Sequence, residues 1–216
     1  MILGVDEAGR GRVVGRLYVA CVLSVPDDPG LVGLNDSKKL TEEKRLELYP
    51  NLIRLCEYGV GWVEAEEIDS SGNVWHAEQV AIDRAISDLK SKFEVPKTTV
   101  LVMDGNVFPK RIDWPMMRMR CAVRADSKYR EVMAASVIAK TESDAWILRR
   151  PEAETYGWNV NHGYLDDLHL ERLRLHGPSS IHRRSFHIRG LDGDDRFPHG
   201  SYINNEKEGE DAQSQI

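Results

Sequence analysis

Met1–Val25 reads MILGVDEAGRGRVVGRLYVACVLSV. A short apolar run, Ile2 to Val5, meets two adjacent acids, Asp6 and Glu7. Residues 2–6 are expected as a strand, and residues 17–25, rich in Val and Leu, as a second strand one short loop away. The loop is Gly9-Arg10-Gly11-Arg12-Val13-Val14-Gly15. Its glycines could be mistaken for a dinucleotide fingerprint, but β-rich sequence follows where that motif needs a helix. Glycine lets backbone approach a partner closely, and free N–H groups beside Arg10 suit a sugar-phosphate strand. The acids raise a geometric question, because neighbouring strand residues point to opposite faces. Both can serve one site only if the strand ends or twists there, or if Glu7 contributes through its carbonyl.

Downstream, the polar stretch Asn35-Asp36-Ser37-Lys38-Lys39 leads to Thr41, an N-cap for a helix that Pro50 should end or kink. Residues 57–64 read as a strand and 74–92 as a helix. Thr98–Met103 (TTVLVM) is a buried, β-branched strand, and 119–123 a further one. Residues 128–149 form a long helix and 166–176 a shorter one. The order ββ, α, β, α, β, β, α, α is α/β, with a mixed central sheet and helices outside. After Phe186 the pattern decays into Gly, Asp, Glu and Asn, expected as a mostly disordered acidic tail.

Asp104 follows TTVLVM directly, and the carboxyl ends of strands are where α/β sheets place ligands. Asp126 stands at the start of the long helix. A single aspartate at a strand end also serves as a turn former, and Asp126 also suits a helix cap. Taken together, four acids at element ends can converge on one open site. Clustered carboxylates raise one another's pKa unless cations neutralise them, and hard divalent ions with oxygen ligands do this. Two such ions can stabilise both oxygens of a phosphodiester displacement.

The chain has 216 residues and a net charge of −6, which at first argues against a nucleic-acid partner. From Leu191 onward, seven acids face two bases, leaving the first 190 residues near −1. Those residues hold a basic cluster of Lys110, Arg111, Arg118, Arg120, Arg124, Lys128 and Arg130, and the local patch governs phosphate binding. No apolar run approaches the roughly 18 residues of a membrane span, and no signal peptide is read. Cys21, Cys56 and Cys121 are widely spaced and expected as buried thiols in a reducing, cytoplasmic compartment. The seven histidines show no ligand spacing, and His169 and His176 are expected on a surface.

In combination, GVDEAGRG (4–11), NDSKKLTEEKR (35–45), VMDGN (102–106), ADSKYREVMAASVIAKTESD (125–144), HGY (162–164) and GPSSIHRRSF (177–186) resemble ribonuclease HII, in the family's order and nearer its bacterial branch. The resemblance implies a ribonuclease H-like fold with a small C-terminal helical extension. It implies a catalytic region over 1–188 and a tail over 189–216. Asp6, Glu7, Asp104 and Asp126 would be the catalytic, metal-binding acids, and Mg²⁺ or Mn²⁺ the cofactor. The implied reaction cleaves the RNA strand of RNA–DNA hybrids and nicks 5′ of single ribonucleotides embedded in duplex DNA. It leaves 5′-phosphate and 3′-hydroxyl ends. Gly9, Arg10 and Gly11 would contact the 2′-hydroxyl that separates RNA from DNA. Tyr164 would stack on the deoxyribose at the junction. Lys38, Lys39, Lys140 and Arg183 would touch phosphates, although Lys140 and Asp144, four apart, also suit a helical ion pair.

The chain departs from the pattern in places. Arg12 and Arg16 stand where proline is usual, which predicts a looser loop or a stronger grip on DNA. Ser143 stands where arginine is common before Asp144, so a supporting ion pair is expected to be missing. The stretch from Asp104 to Asp126 is longer than usual. A monomer is expected. The alternatives are a hybrid-binding module with impaired catalysis, or a resolvase or integrase core of the same fold, which a 2′-hydroxyl requirement would separate.

Overall fold

The computed structural model describes residues 1–104, 118–188, 190 and 191. Five strands form one sheet: β1 (Ile2–Ala8), β2 (Leu17–Ser24), β3 (Glu57–Val63), β4 (Val100–Asp104) and β5 (Arg118–Ala122). Their order across the sheet is β3-β2-β1-β4-β5. The β1–β2 and β2–β3 pairs are antiparallel, and β1–β4 and β4–β5 are parallel. The expected mixed sheet is therefore present, with β1 at its centre.

Helix α1 (Glu42–Leu55) starts at Thr41, whose side chain accepts from the Lys44 N–H. It does not stop at Pro50 but runs through it. Pro50 is exposed, as is Leu46, whose carbonyl loses its partner, so solvent can take over that bond. Two short helices were not anticipated: α2 (Ala65–Ser71) and α5 (Trp158–Asn161). Between and around them run α3 (Val74–Lys92), α4 (Arg130–Leu148) and α6 (Asp167–His176).

Helices cover both faces. The α3 face buries Leu3, Val5, Val19, Cys21 and Leu101 against Ala77, Ala81, Ile82 and Ala85. The other face buries Ala20 and Val22 against Ala134, Val137 and Ile138 of α4, with Leu48 and Leu52 of α1 beyond. Gly4 lets α4 sit directly on β1: a Cβ there would lie 2.3 Å from the Glu131 carbonyl carbon. That contact sets α4 against the strand two residues before Asp6.

A third cluster joins Val13 and Val14 to Ile147, Tyr156, Trp158, Leu173 and Leu191. Leu191 is buried, so packing extends past the expected boundary at residue 188. Residues 192–216, most of the expected tail, lie outside the described residues, as do 105–117, which include Lys110 and Arg111. No helix among the described residues is long and apolar enough to cross a membrane. Cys21 and Cys56 are buried free thiols, and Cys121 is free and partly exposed.

Candidate active site

The parallel β1–β4 register pairs Val5 with Met103, so Asp6 and Asp104 come next on neighbouring strands and share a face. That face is α4's, and Ser136 of α4 lies near enough to Asp6 to favour its charged form. Burial and then the charge of Glu7 push Asp6 well above the usual carboxylate range. Asp104 accepts from the Ala125 N–H at 2.8 Å, which brings Asp126, in a single 3-10 turn over 125–127, beside it. Burial, then the charges of Asp104 and Asp36, raise the pKa of Asp126.

The strand does not end at the acids. It continues to Ala8, with Glu7 paired to Val19. By strand alternation Glu7 leaves β1 towards α3, where Arg10 Nη1 approaches its carboxylate at 3.3 Å, yet that carboxylate stays near enough to Asp6 for its charge to act on both Asp6 and Lys38. Lys38 ties the group together. Burial alone would lower its pKa, but the charges of Asp6, Glu7, Asp36 and Asp126 outweigh that and hold it above its ordinary value. Asp36 caps this turn by accepting from the Lys38 N–H at 2.9 Å, and Ser37 bonds Ser136 of α4 at 2.6 Å between hydroxyls. Lys39 Nζ reaches Ser127 at 2.6 Å. Two serines, Ser37 and Ser136, thus position the lysine turn over the acids; nothing in their spacing signals it.

Beside the acids, residues 9–12 form a turn closed by Arg12 N–H donating to Gly9 O at 3.3 Å. Gly9 has φ +83°, and a Cβ there would meet Arg16 O at 2.9 Å, so a close approach requires glycine. Gly11 is exposed with open space where a Cβ would go. Tyr164 is 39% exposed, its ring centroid 5.2 Å from the Arg12 guanidinium and 5.4 Å from Lys140 Nζ.

With this geometry in place the comparisons are decisive. The family model described as Ribonuclease HII matches residues 3–189. The chain belongs to the ribonuclease HII family. Ribonuclease HII of Nitrosomonas europaea is 41% identical over 189 residues, covering 86% of this chain and 82% of its own. That of Paraburkholderia xenovorans is 39% identical, covering 86% and 72%. Ribonuclease HII of Archaeoglobus fulgidus, solved in complex with PCNA, superposes with TM-score 0.70 at 30% identity, over 90% of this chain and 99% of its own. Ribonuclease H2 of Pyrococcus horikoshii gives TM-score 0.65 at 29% identity, over 86% and 93%. Membership makes the protein a ribonuclease H, a phosphodiester hydrolase whose substrate class is the RNA–DNA hybrid.

Arg183 is not an exposed phosphate contact: it is 1% exposed. Its guanidinium donates to Gly15 O, Arg10 O and Arg12 O at 2.7–2.9 Å. Burial, then the charge of Arg12, lower its pKa to about 9, which leaves it protonated at neutral pH. Arg183 is the clamp of the Gly-Arg loop. Arg12 and Arg16 are not loose cations. Buried Arg12 donates to Ser143 O and Oγ at 3.0 and 2.7 Å and pairs with Asp144. The pair to Asp144 is thus present, supplied from the loop across from Ser143. Lys140 also pairs with Asp144, at 2.8 Å, as its helical spacing allowed. Arg16 pairs with Glu64 at 2.6 Å between the rings of Trp62 and Trp146.

His169 is fully buried, not on a surface; His176 is exposed. His169 Nε2 accepts from the Trp158 indole at 3.1 Å, and its Nδ1–H donates to Tyr164 O at 3.0 Å. His182 Nδ1 accepts from the Ser179 N–H at 2.8 Å, so its Nε2–H points at His169 Nε2, 3.1 Å away. Through these neutral imidazoles the third core cluster holds the backbone of Tyr164.

Proposed function

We propose that the protein is a metal-dependent endonuclease that cuts the RNA strand of RNA–DNA hybrids. It also nicks duplex DNA on the 5′ side of a single embedded ribonucleotide. The observation that carries this reading is the register of the parallel β1–β4 pair, in which Asp6 and Asp104 follow paired residues, with Asp126 next to the Ala125 N–H that Asp104 accepts.

Asp6, Glu7, Asp104 and Asp126 would hold Mg²⁺ or Mn²⁺. The donor set fits: it is all carboxylate, the oxygen chemistry that hard divalent ions take, and behind the larger effect of burial Asp6 and Asp126 each feel the charge of a neighbouring acid. Among the described residues, no three such side chains stand close enough to hold an ion alone. Water and substrate phosphate oxygens commonly complete the shell of Mg²⁺. When bound, the metal supplies charge neutralisation for water attack on phosphorus and for departure of the 3′ oxygen, leaving 5′-phosphate and 3′-hydroxyl ends. The chain's own residues do the rest. Gly9, Arg10 and Gly11 offer close backbone approach to the 2′-hydroxyl. Tyr164 presents its ring to the deoxyribose beyond it. Lys38, Lys39 and Lys140 supply positive charge to the phosphates. The work served is ribonucleotide excision and primer removal, by a cytoplasmic monomer.

The test is cleavage of a DNA duplex carrying one ribonucleotide, and of a uniform hybrid, with Mg²⁺, Mn²⁺ or chelator, beside an Asp104→Asn variant. A metal-dependent nick 5′ of the ribonucleotide, lost with chelator and reduced at least about a hundredfold in the variant, is expected. Cleavage of the uniform hybrid alone would overturn the junction role of Tyr164 and the Gly-Arg-Gly turn.

A further inference from the structure

Glu78 takes no part in holding the acids or the phosphates, yet it is placed with care. It lies on the apolar stripe of α3, one turn from Val74 and one turn from Ile82, and is 1% exposed. A carboxyl at such a position is costly unless it has a partner. Its partner is Arg10, whose Nη1 lies 3.3 Å from Glu78 Oε2. The same Nη1 lies 3.3 Å from Glu7 Oε1, and the guanidinium sits over Trp75, 4.6 Å from the ring centroid. At the other end of the residue, Arg10 O accepts from Arg183 at 2.9 Å. Arg10 stands between two glycines, the most permissive backbone neighbours available. Its main chain is fixed by Arg183 and its side chain by α3.

We propose that Glu78, with Trp75 beside it, is a positioning residue for substrate: it anchors Arg10 on α3 and so holds the Gly9–Gly11 turn ready for the ribonucleotide. This rests on the reading of that turn as the ribonucleotide contact. Without the anchor, a long side chain between two glycines must be ordered each time substrate binds. That cost falls on binding rather than on the chemical step. Glu78→Gln keeps an acceptor oxygen for Arg10; Glu78→Leu keeps the volume and removes the acceptor.

The experiment is steady-state cleavage of the single-ribonucleotide duplex by wild type, Glu78→Gln, Glu78→Leu, Arg10→Ala and the Glu78→Leu/Arg10→Ala double variant, with a thermal melt of each. Glu78→Leu is expected to raise KM by about five- to tenfold with kcat within about twofold, and Glu78→Gln to stay near wild type. The double variant is expected to match Arg10→Ala, because Glu78 acts through Arg10. A purely structural role would lower Tm and kcat and leave KM in place; that result overturns the proposal, as does additivity in the double variant. If Glu78→Leu does not fold, Trp75→Leu removes the other side of the clamp, and an unchanged KM there overturns the proposal equally. Wild type that cuts neither the single-ribonucleotide duplex nor a hybrid would overturn the functional reading and this inference together. Wild type that cuts, with KM untouched in the variants, overturns this inference alone.

Discussion

Breaking the Arg12–Asp144 pair leaves a buried carboxylate to Lys140, at 2.8 Å, and Arg45, at 3.6 Å, with the His162 ring at 3.7 Å. Removing one member of a buried pair is far worse than never having built it, because the other stays desolvated. Arg12→Leu is therefore expected to cost about 3 kcal/mol, read as a lower urea midpoint. It also removes one of the two cations beside Tyr164. The buried histidines carry a pH signature. Burial, then His169 and then Arg184, lower the pKa of His182 to about 3, far below its unfolded value of roughly 6.5. A depressed folded pKa means the stabilisation is complete above the unfolded pKa and is lost as pH falls through the window between the two. His182 alone then contributes up to ~1.4 kcal/mol of lost stability per pH unit below about 6.5. Urea unfolding at pH 7, 6, 5 and 4 should show that slope, and His182→Asn should flatten it.

Helix α4 carries Ser136, Lys140, Ser143 and Asp144 within three consecutive turns, so its seat on β1 places much of the site at once. Gly4 makes that seat. Gly4→Ala would drive a methyl into the backbone at Glu131 and Val132, 2.3–2.4 Å away, and neither can yield without shifting the helix. The expected cost is about 3 kcal/mol with a large fall in kcat, because Ser136 and Asp6 separate. Helix α1 gives the opposite sign. Pro50 is exposed inside it and removes the bond to Leu46 O, so Pro50→Ala should raise stability by about 1–2 kcal/mol and leave activity unchanged. A thermal melt and a cleavage assay on the same preparation check both variants.

Among the described residues, two large core clusters clamp the sheet, a small one packs Val102 against Ala125 and Val132, and another ties the C-terminal region to the Gly-Arg loop. Bridges such as Arg183 N–H to Val13 O and Gly15 N–H to Ile181 O make the loop and residues 181–183 one unit. Residues 192–216 carry a net −5, while Arg120, Arg124, Lys128 and Arg130 are exposed on the folded part. Deleting 192–216 while keeping buried Leu191 should leave Tm unchanged and tighten hybrid binding at low salt. The gain should shrink as salt rises, since screening weakens both tail and patch. Equal affinities across a salt series would remove any competing role for the tail.

The sequence by itself determined the element order, the mixed sheet, the acids at strand ends, the capped start of α1 at Thr41 and the helical Lys140–Asp144 pair. Each depends on periodicity, propensity or charge within a few residues. Glu78 was also legible in principle, as an acid on the apolar stripe of α3. Only tertiary structure decided how Glu7 sits beside Asp6, since β1 could have stopped at residue 6 but continues to Ala8 with the Glu7 carboxylate held at Arg10. It alone turned Arg12 from a loose cation into a buried partner of Asp144, Arg183 from a phosphate ligand into a clamp, and His169 from a surface residue into a support for Tyr164. A guanidinium or an imidazole looks the same in sequence whether it meets solvent or a carboxylate. For Arg12 and Arg183 the deciding partners lie more than a hundred residues away.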